Sequence, residues 1–532
     1  MIKIEDFKKK TLIVSFFLFG LVLTWYCLFL FHKIDLTTAD LGRHLKNGEL
    51  ISSNFSLNSN VLKTNFYSYT QPEYSTLNHH WLSGVIFFII FKVLGFNGLH
   101  LFFIALSLFT FWLFFKIAED EIGVEVASVL SLFIIPLIAE RIEVRPEVFS
   151  YLFSGLFLTL LLAWRQNKLK FRFLLFLPLL QLFWVNLHIL SILGPILIGA
   201  FLFESLILAS KRKDFSKLAI IFILVILTSL INPFGLNGSL AIFEVLKEYG
   251  YRLVENQSLW FLERLGFVIN SNFLLFKMVF LGLMTSIIAA VKISKKDFPL
   301  VNLFLAAGFS LAGFLALRNF TIFGLFSLPL IASNIKVIAE KKPLPEQISL
   351  DFFYLSSKFL LAIIGFIFLT WGLITHSREI SLSRMGMGLL DSNNQSIEFF
   401  KQNQLTGPIF NNYDIGGYLV FYLFPQERVF VDNRPEAYSV DFFQKEYIPM
   451  QENEIKWLEE QDKYGFNVIF FSHRDATSWG QSFLVDRVKD QNWAPVYLDE
   501  FNIILLKRNE ANQNIIDQYE IPKEAFGAIE SS

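Results

Sequence analysis

Asp40-Leu-Gly-Arg-His-Leu-Lys-Asn-Gly-Glu-Leu-Ile51 gathers charge just after an apolar run, residues 11–31. That run is long enough to cross a bilayer as a helix, so the charged stretch is held at a membrane surface. Read as a helix, it places Asp40 and His44 one turn apart on one face, with Arg43 and Glu49 near enough to influence them and Gly48 positioned to end the turn. A solvated amphipathic helix lying among the lipid headgroups is the plainer alternative for the same pattern.

Working outward, composition agrees with a membrane setting. The chain has 532 residues, 54% of them hydrophobic, 63 Phe and only 17% charged, more apolar side chain than a soluble core of this length needs. Its 46 basic and 47 acidic residues leave no basic excess to attract nucleic acid. The one cysteine, Cys27, lies inside the first apolar run and excludes an internal disulfide or a cysteine-based metal cluster. Lys3, Lys8, Lys9 and Lys10 precede that run and no small-residue cleavage site follows it, so Met1–Lys10 reads as the cytoplasmic end of a retained anchor.

Further apolar runs follow at 98–117, 124–140, 146–164, 171–187, 189–210, 217–234, 273–292, 298–317, 320–338 and 357–376. Basic clusters at Arg165-Lys168-Lys170-Arg172, Lys211-Arg212-Lys213-Lys217, Lys292-Lys295-Lys296 and Lys336-Lys341-Lys342 mark four cytoplasmic loops in the correct alternation. Counting back from them makes the short run 82–94, closed by Gly95 and Gly98, an interfacial helix rather than a crossing. The expectation is a polytopic α-helical membrane protein of about 11 transmembrane helices plus interfacial helices, residues 1–376, with its first outer loop at 32–80. Residues 377–532 alternate amphipathic helical stretches (Ser396–Gln404, Asn453–Lys463) with short strand-like runs (407–411, 428–432, 466–472, 502–506). They read as a C-terminal extracytoplasmic α/β domain with a charged, loose tail after Asn509.

The same count puts Asp40, the turn bearing Arg141, Glu143, Arg145 and Glu147, the pair Asn186 and His188, the Asn232-Pro-Phe-Gly235 turn and Arg318-Asn319 on one outer side. Ionisable groups at span ends are costly against lipid, so a shared outer cavity accounts for all five; helix capping and snorkelling account for each singly.

Asp40, His44 and Gly48, followed by Tyr67-Ser-Tyr-Thr70, His79-His80-Trp81-Leu82 and a Gly-rich turn, resemble the first outer loop of bacterial GT-C class glycosyltransferases. Arg145-Pro146-Glu147, Asn186-Leu-His188 and Asn232-Pro-Phe-Gly235 look like signatures of a poorly characterised branch of that superfamily, which includes protein O-mannosyltransferases, lipid A aminoarabinose transferases and oligosaccharyltransferase subunits. Asn412-Tyr-Asp-Ile-Gly-Gly-Tyr418 and Val429-Phe-Val-Asp-Asn-Arg-Pro-Glu-Ala-Tyr438 are similar in layout to the outer domain of oligosaccharyltransferase subunits. The resemblance implies transfer of a sugar from a polyprenyl-phosphate donor to a glycan, lipid or protein acceptor on the outer face of a cell (inner) membrane. It implies inversion at the anomeric carbon, with the acidic residue of the first loop as base or metal ligand, here Asp40. Ala39 and Leu41 flank a single Asp where other members pair two acids, which weighs against a required divalent metal ion.

The chemistry needs a carboxylate to accept a proton and cations to balance the leaving phosphate. Asp40 is the candidate base and His44 its partner; Arg43, Arg141, Arg145 and Arg318 are the candidate phosphate ligands, since a guanidinium grips two phosphate oxygens and stays charged. His79, His80, Glu147, Asn186, His188, Glu255, Asp432 and Arg434 are candidate substrate contacts. Each also has a structural reading: His79 and His80 as interfacial side chains flanking Trp81, Asn186 and His188 as helix joiners, Glu255 as a loop charge, Asp432 with Arg434 as an ion pair. No cofactor is certain; if a divalent ion is bound, Asp40, His44 and His80 are its candidate ligands. The rival functions are a non-catalytic transporter or flippase for a lipid-linked glycan, and a membrane scaffold. A transferase predicts one cavity into which Asp40 and an arginine both point; a scaffold predicts that those groups scatter.

Overall fold

The computed structural model describes residues 4–38, 40–53, 59–266, 270–294, 298–341, 350–377, 380 and 382–529. The N-terminal lysine side chains and Lys295, Lys296 and Lys342 of the basic clusters lie outside the described residues. Every apolar run expected from the sequence is helical. Among the described residues six helices are long and apolar enough to cross a membrane: Ile13–Leu30, Trp81–Ile122, Glu147–Arg165, Ile189–Ile207, Asn272–Ser294 and Leu317–Lys341. Four shorter apolar helices, Val124–Ile138, Phe171–Leu187, Leu300–Leu315 and Leu360–Thr375, accompany them. Six thus meet the length and composition of a span, where the runs had suggested about eleven.

The short run 82–94 is the first arm of a single 42-residue helix, Trp81–Ile122, broken at Gly95. Gly95 adopts φ +66°, ψ −168°, a conformation closed to other residues, and this breaks the direction of the chain between the arms. The charged stretch is indeed helical, Leu41–Ser53, and it lies against the first arm. Their backbones touch: a Cβ on Gly48 would sit 2.0 Å from the Gly84 carbonyl oxygen. Gly48 therefore serves as a contact point inside the helix and does not terminate it.

Residues 409–507 contain a four-stranded sheet in the order β1-β2-β4-β3 (β1 Ile409–Asn411, β2 Val468–Ser472, β3 Trp493–Leu498, β4 Asn502–Lys507). β1 and β2 pair in parallel, Ile409 opposite Val468, and the other pairings are antiparallel. Every residue of β1 and β2 is buried, because helices and aromatic side chains cover both faces of the sheet. The strand-like run 428–432 is no strand; it makes one bridge, Val429 to Ser68, which ties the sheet region to the first loop. The tail is not loose throughout, since Gln513–Tyr519 forms a helix with Ile516 buried.

A second close approach completes the arrangement. A Cβ on Gly42 would meet the Gly417 carbonyl oxygen at 2.7 Å, so the Leu41–Ser53 helix is pressed between the membrane helices and the Gly416–Leu423 helix. Asp40, at the start of that helix, sits where the helical bundle and the sheet region meet.

Candidate active site

Asp40, Arg43, His44, His79, His80, Arg145, Glu147, His188, Glu255 and Arg318 line one cavity of about 220 Å³. Six separate segments deliver them: the start of the Leu41–Ser53 helix, the turn before Trp81, the turn at Pro146, the His188 corner and the two facing loops at Glu255 and Arg318. The scattering expected of a scaffold is not observed.

Carboxylates and guanidiniums form a network along one wall. Glu147 accepts from Arg141 Nε at 2.9 Å and Nη2 at 3.0 Å, and from Arg318 Nη2 at 3.1 Å. Glu255 accepts from Arg141 at 2.5 Å and lies 3.3 Å from both Arg145 and Arg318. Arg145 also pairs with Glu143 at 2.6 Å and stands 3.7 Å from Asp40 Oδ2. Burial alone would push the Glu255 carboxyl up, but Arg141, Arg145 and Arg318 outweigh it and hold the group down to about 2. Each charge in this wall is compensated by another, as buried ions require.

Asp40 is fixed from the opposite side. Asn433 Nδ2 donates to Asp40 Oδ1 at 2.7 Å, and Asn433 Oδ1 accepts from Arg43 Nε at 3.3 Å. The amide thus uses both ends to orient the carboxylate and the neighbouring guanidinium, leaving Oδ2 as the oxygen that faces the arginine wall. Asn433, Pro435 and Glu436 bring the sheet region into the cavity lining. Asn433 is the residue that sequence reasoning missed. Asp432 and Arg434, singled out instead, pair with each other at 2.6 Å, and Arg434 also donates to Asn65. They are buried away from the cavity, with the structural role that was their alternative reading. The signal available was alternation: if the side chains at 432 and 434 turn inward, that at 433 turns the other way.

The imidazoles cluster. Ring centroids are 5.6 Å apart for His44 and His80, 4.2 Å for His79 and His80, and 4.8 Å for His80 and His188. Burial, reinforced by Arg43, lowers His44 and brings His79 down to about 4; burial and then the neighbouring imidazoles lower His80, so these three rings are neutral near pH 7. His188 Nδ1 is engaged by Ser150 at 2.7 Å, and Ser150 in turn accepts from Trp184. Asn186 is not in the cavity. Its amide donates to the Leu182 and Ile231 carbonyls and accepts from Trp81 Nε1 at 3.1 Å, which joins three segments. Asn232 and Asn319 likewise close local backbone turns, Asn232 at the Gly235 carbonyl and Asn319 at Ala312.

These residues do not fit a divalent metal ion. Asp40, Glu143, Glu147 and Glu255 already face guanidiniums that would repel a dication. Among the described residues no three His, Cys, Asp or Glu side chains converge as ligands. The set Asp40, His44 and His80 is therefore not assembled as a metal centre.

No family model matches this chain, and no curated protein matches its sequence. Solved structures do. The Archaeoglobus fulgidus oligosaccharyltransferase in its apo form superposes with a TM-score of 0.59 at 12% identity, covering 88% of this chain and 71% of that one. This chain has the GT-C fold. The archaeal oligosaccharyltransferase AglB, also from Archaeoglobus fulgidus, in complex with an inhibitory peptide and a dolichol-phosphate gives a TM-score of 0.57 at 12% identity, over 90% of this chain and 72% of that one. ArnT from Cupriavidus metallidurans, bound to undecaprenyl phosphate, gives 0.48 at 12% identity, covering 92% of this chain and 97% of that one. The GT-C architecture and the apolar helices together make this a membrane protein.

Proposed function

We propose that the chain is an integral-membrane, inverting glycosyltransferase that moves a sugar from a polyprenyl-phosphate donor to an acceptor on the outer face of the cell membrane. The observation that carries this is Asp40: a carboxylate held by Asn433 at 2.7 Å, inside a cavity lined by guanidiniums, on a GT-C fold. In the reaction Asp40 Oδ2 takes the proton of the acceptor nucleophile, which attacks the anomeric carbon from the face opposite the phosphate. The carbon–oxygen bond to the phosphate breaks, its electron pair leaves with the phosphate, and neighbouring cations balance the charge that develops. A cavity of about 220 Å³ is below the range usual for drug-sized ligands and suits one sugar unit better than an oligosaccharide. The Lys and Arg clusters support a cytoplasmic N-terminus, an outer-facing cavity and an extracytoplasmic C-terminal domain from residue 377 onward.

The test is transfer of label by membranes containing the full-length chain, offered a panel of radiolabelled polyprenyl-phosphate sugars. Wild type should label an acceptor with one donor of the panel, and Asp40→Asn should lose at least about a hundredfold in rate. Normal transfer by the purified Asp40→Asn protein would remove Asp40 as the base.

A further inference from the structure

Three arginines line the cavity, Arg43, Arg145 and Arg318, with Arg141 behind them, and their electrostatic situations differ. Arg141, Arg145 and Arg318 face four carboxylates, Asp40, Glu143, Glu147 and Glu255, and each forms at least two ion pairs with that set. This wall is fully compensated and repels a further anion. Arg43 is only 6% exposed, and among the described residues no carboxylate lies within ion-pair distance of it. Its polar contact is the neutral amide oxygen of Asn433 at its Nε. Glu436 is near enough to sense Arg43, but burial pushes that carboxyl up, which weakens it as a counter-ion.

A buried guanidinium without a counter-ion is costly. So are unmade hydrogen bonds, and three more cluster beside it: His44 Nδ1, His79 Nδ1 and His80 Nε2 are buried without a partner. All three rings line the same cavity as Arg43. A neutral imidazole carries one N–H, which tautomerism can place on the open nitrogen. One positive charge and three imidazole nitrogens without a partner around a common space form a site for a compact oxyanion.

We infer that Arg43, His44, His79 and His80 form the phosphate seat of this cavity, and that the Arg141–Arg145–Arg318 wall is not the seat. The ligand class is the phosphate of a polyprenyl-phosphate sugar, a diester before transfer and a monoester after it, or free phosphate. The assignment rests on the transferase reading only for its polyprenyl-phosphate ligand; the seat itself follows from charge balance.

The experiment is binding of two probes, inorganic phosphate and decaprenyl phosphate, to the full-length protein in phosphate-free detergent, with decaprenol as the uncharged control. Wild type should bind both phosphates, the lipid more tightly, and decaprenol weakly. Arg43→Gln should lose at least about tenfold in affinity for both phosphates, and Arg43→Lys should fall between it and wild type. Should Arg43→Gln fail to fold, His80→Gln carries the same test, with an expected loss of about fivefold or more for one donor. Tight binding of inorganic phosphate alone would identify the source as free phosphate and overturn the lipid assignment. Unchanged affinity in Arg43→Gln alongside a tenfold loss in Arg318→Gln, or no phosphate binding by wild type, overturns the seat. Phosphate binding by wild type without sugar transfer from any donor would sink the transferase and leave the seat standing.

Discussion

Replacing Glu147 by Gln tests whether the arginine wall is one electrostatic unit. Glu147 is 6% exposed, stands at the first turn of the Glu147–Arg165 helix and accepts two bonds from Arg141, one from Arg318 and one from Tyr151. Removing one partner of a buried pair costs about 3–5 kcal/mol, because the other charge is left stranded. Here the guanidiniums are not fully stranded, as Glu255 still reaches Arg141 at 2.5 Å and Arg318 at 3.3 Å. The Gln carbonyl also keeps one acceptor in place, so the expected loss falls to about 2–3 kcal/mol. Glu255→Gln, at a more exposed position, should cost about 1–2 kcal/mol by the same reasoning. The double variant leaves Arg141 and Arg318 with no carboxylate from this pair, whereas Arg145 retains Glu143 and Asp40. Its loss should therefore exceed the sum of the singles by about 1 kcal/mol or more. Denaturant unfolding of the full-length protein in mixed micelles, completed as a double-mutant cycle, measures this coupling. Single losses under about 0.5 kcal/mol with strict additivity would show that the wall is not a cooperative network and would refute the charge balance from which Arg43 was singled out.

Asn433→Ala removes a hydrogen bond to a charged carboxylate, worth about 1.5–3 kcal/mol, so kcat should fall roughly 10- to 100-fold with a smaller change in KM in the transfer assay; a wild-type kcat would mean that Asp40 orients itself. Asp414, beside the Gly416–Leu423 helix, is pushed up to about 7 by burial and then by Asp475 and Asp40. The folded protein therefore holds a proton there that the unfolded chain releases near its ordinary value of 3.8, and stability from this group falls as pH rises from about 4 to 7 and stays low above it. Asp414→Asn should raise the unfolding temperature at pH 8 and leave it nearly unchanged at pH 4; equal shifts at both values would assign the effect to packing.

Hydropathy is a local property, so each apolar run became a helix, and a break near Gly95 was legible because counting back from the basic loops kept the short run 82–94 from crossing. Only six helices reach spanning length, however, since hydropathy marks apolar segments without fixing where a helix ends. The Gln513–Tyr519 helix, in a tail expected to be loose, and the strand Trp493–Leu498 escaped notice because their order comes from packing against other parts of the sheet region, not from their own pattern.

At the cavity, the kinds of residue were written in the chain: a carboxylate, imidazoles and guanidiniums at span ends, where lipid forbids them unless they meet one another. One cavity is lined by Asp40, Arg43, His44, His79, His80, Arg145, Glu147, His188, Glu255 and Arg318, of which Asp40, Arg145, Glu147, His188 and Arg318 belong to the groups expected to share an outer cavity. Which of them are already paired could not be read from spacing, because Glu255 and Arg318 reach Arg141 and Glu147 across loops far apart in sequence. The contact of Asn433 with Asp40 spans 393 positions, and it exists because Gly42 and Gly417 let two backbones touch. The sequence alone determined that polar chemistry is gathered at the surface of a helical membrane protein, since burial costs act on each residue wherever it lies. Tertiary structure alone decided which charge compensates which, because Coulomb energies depend on distances that only the folded chain sets.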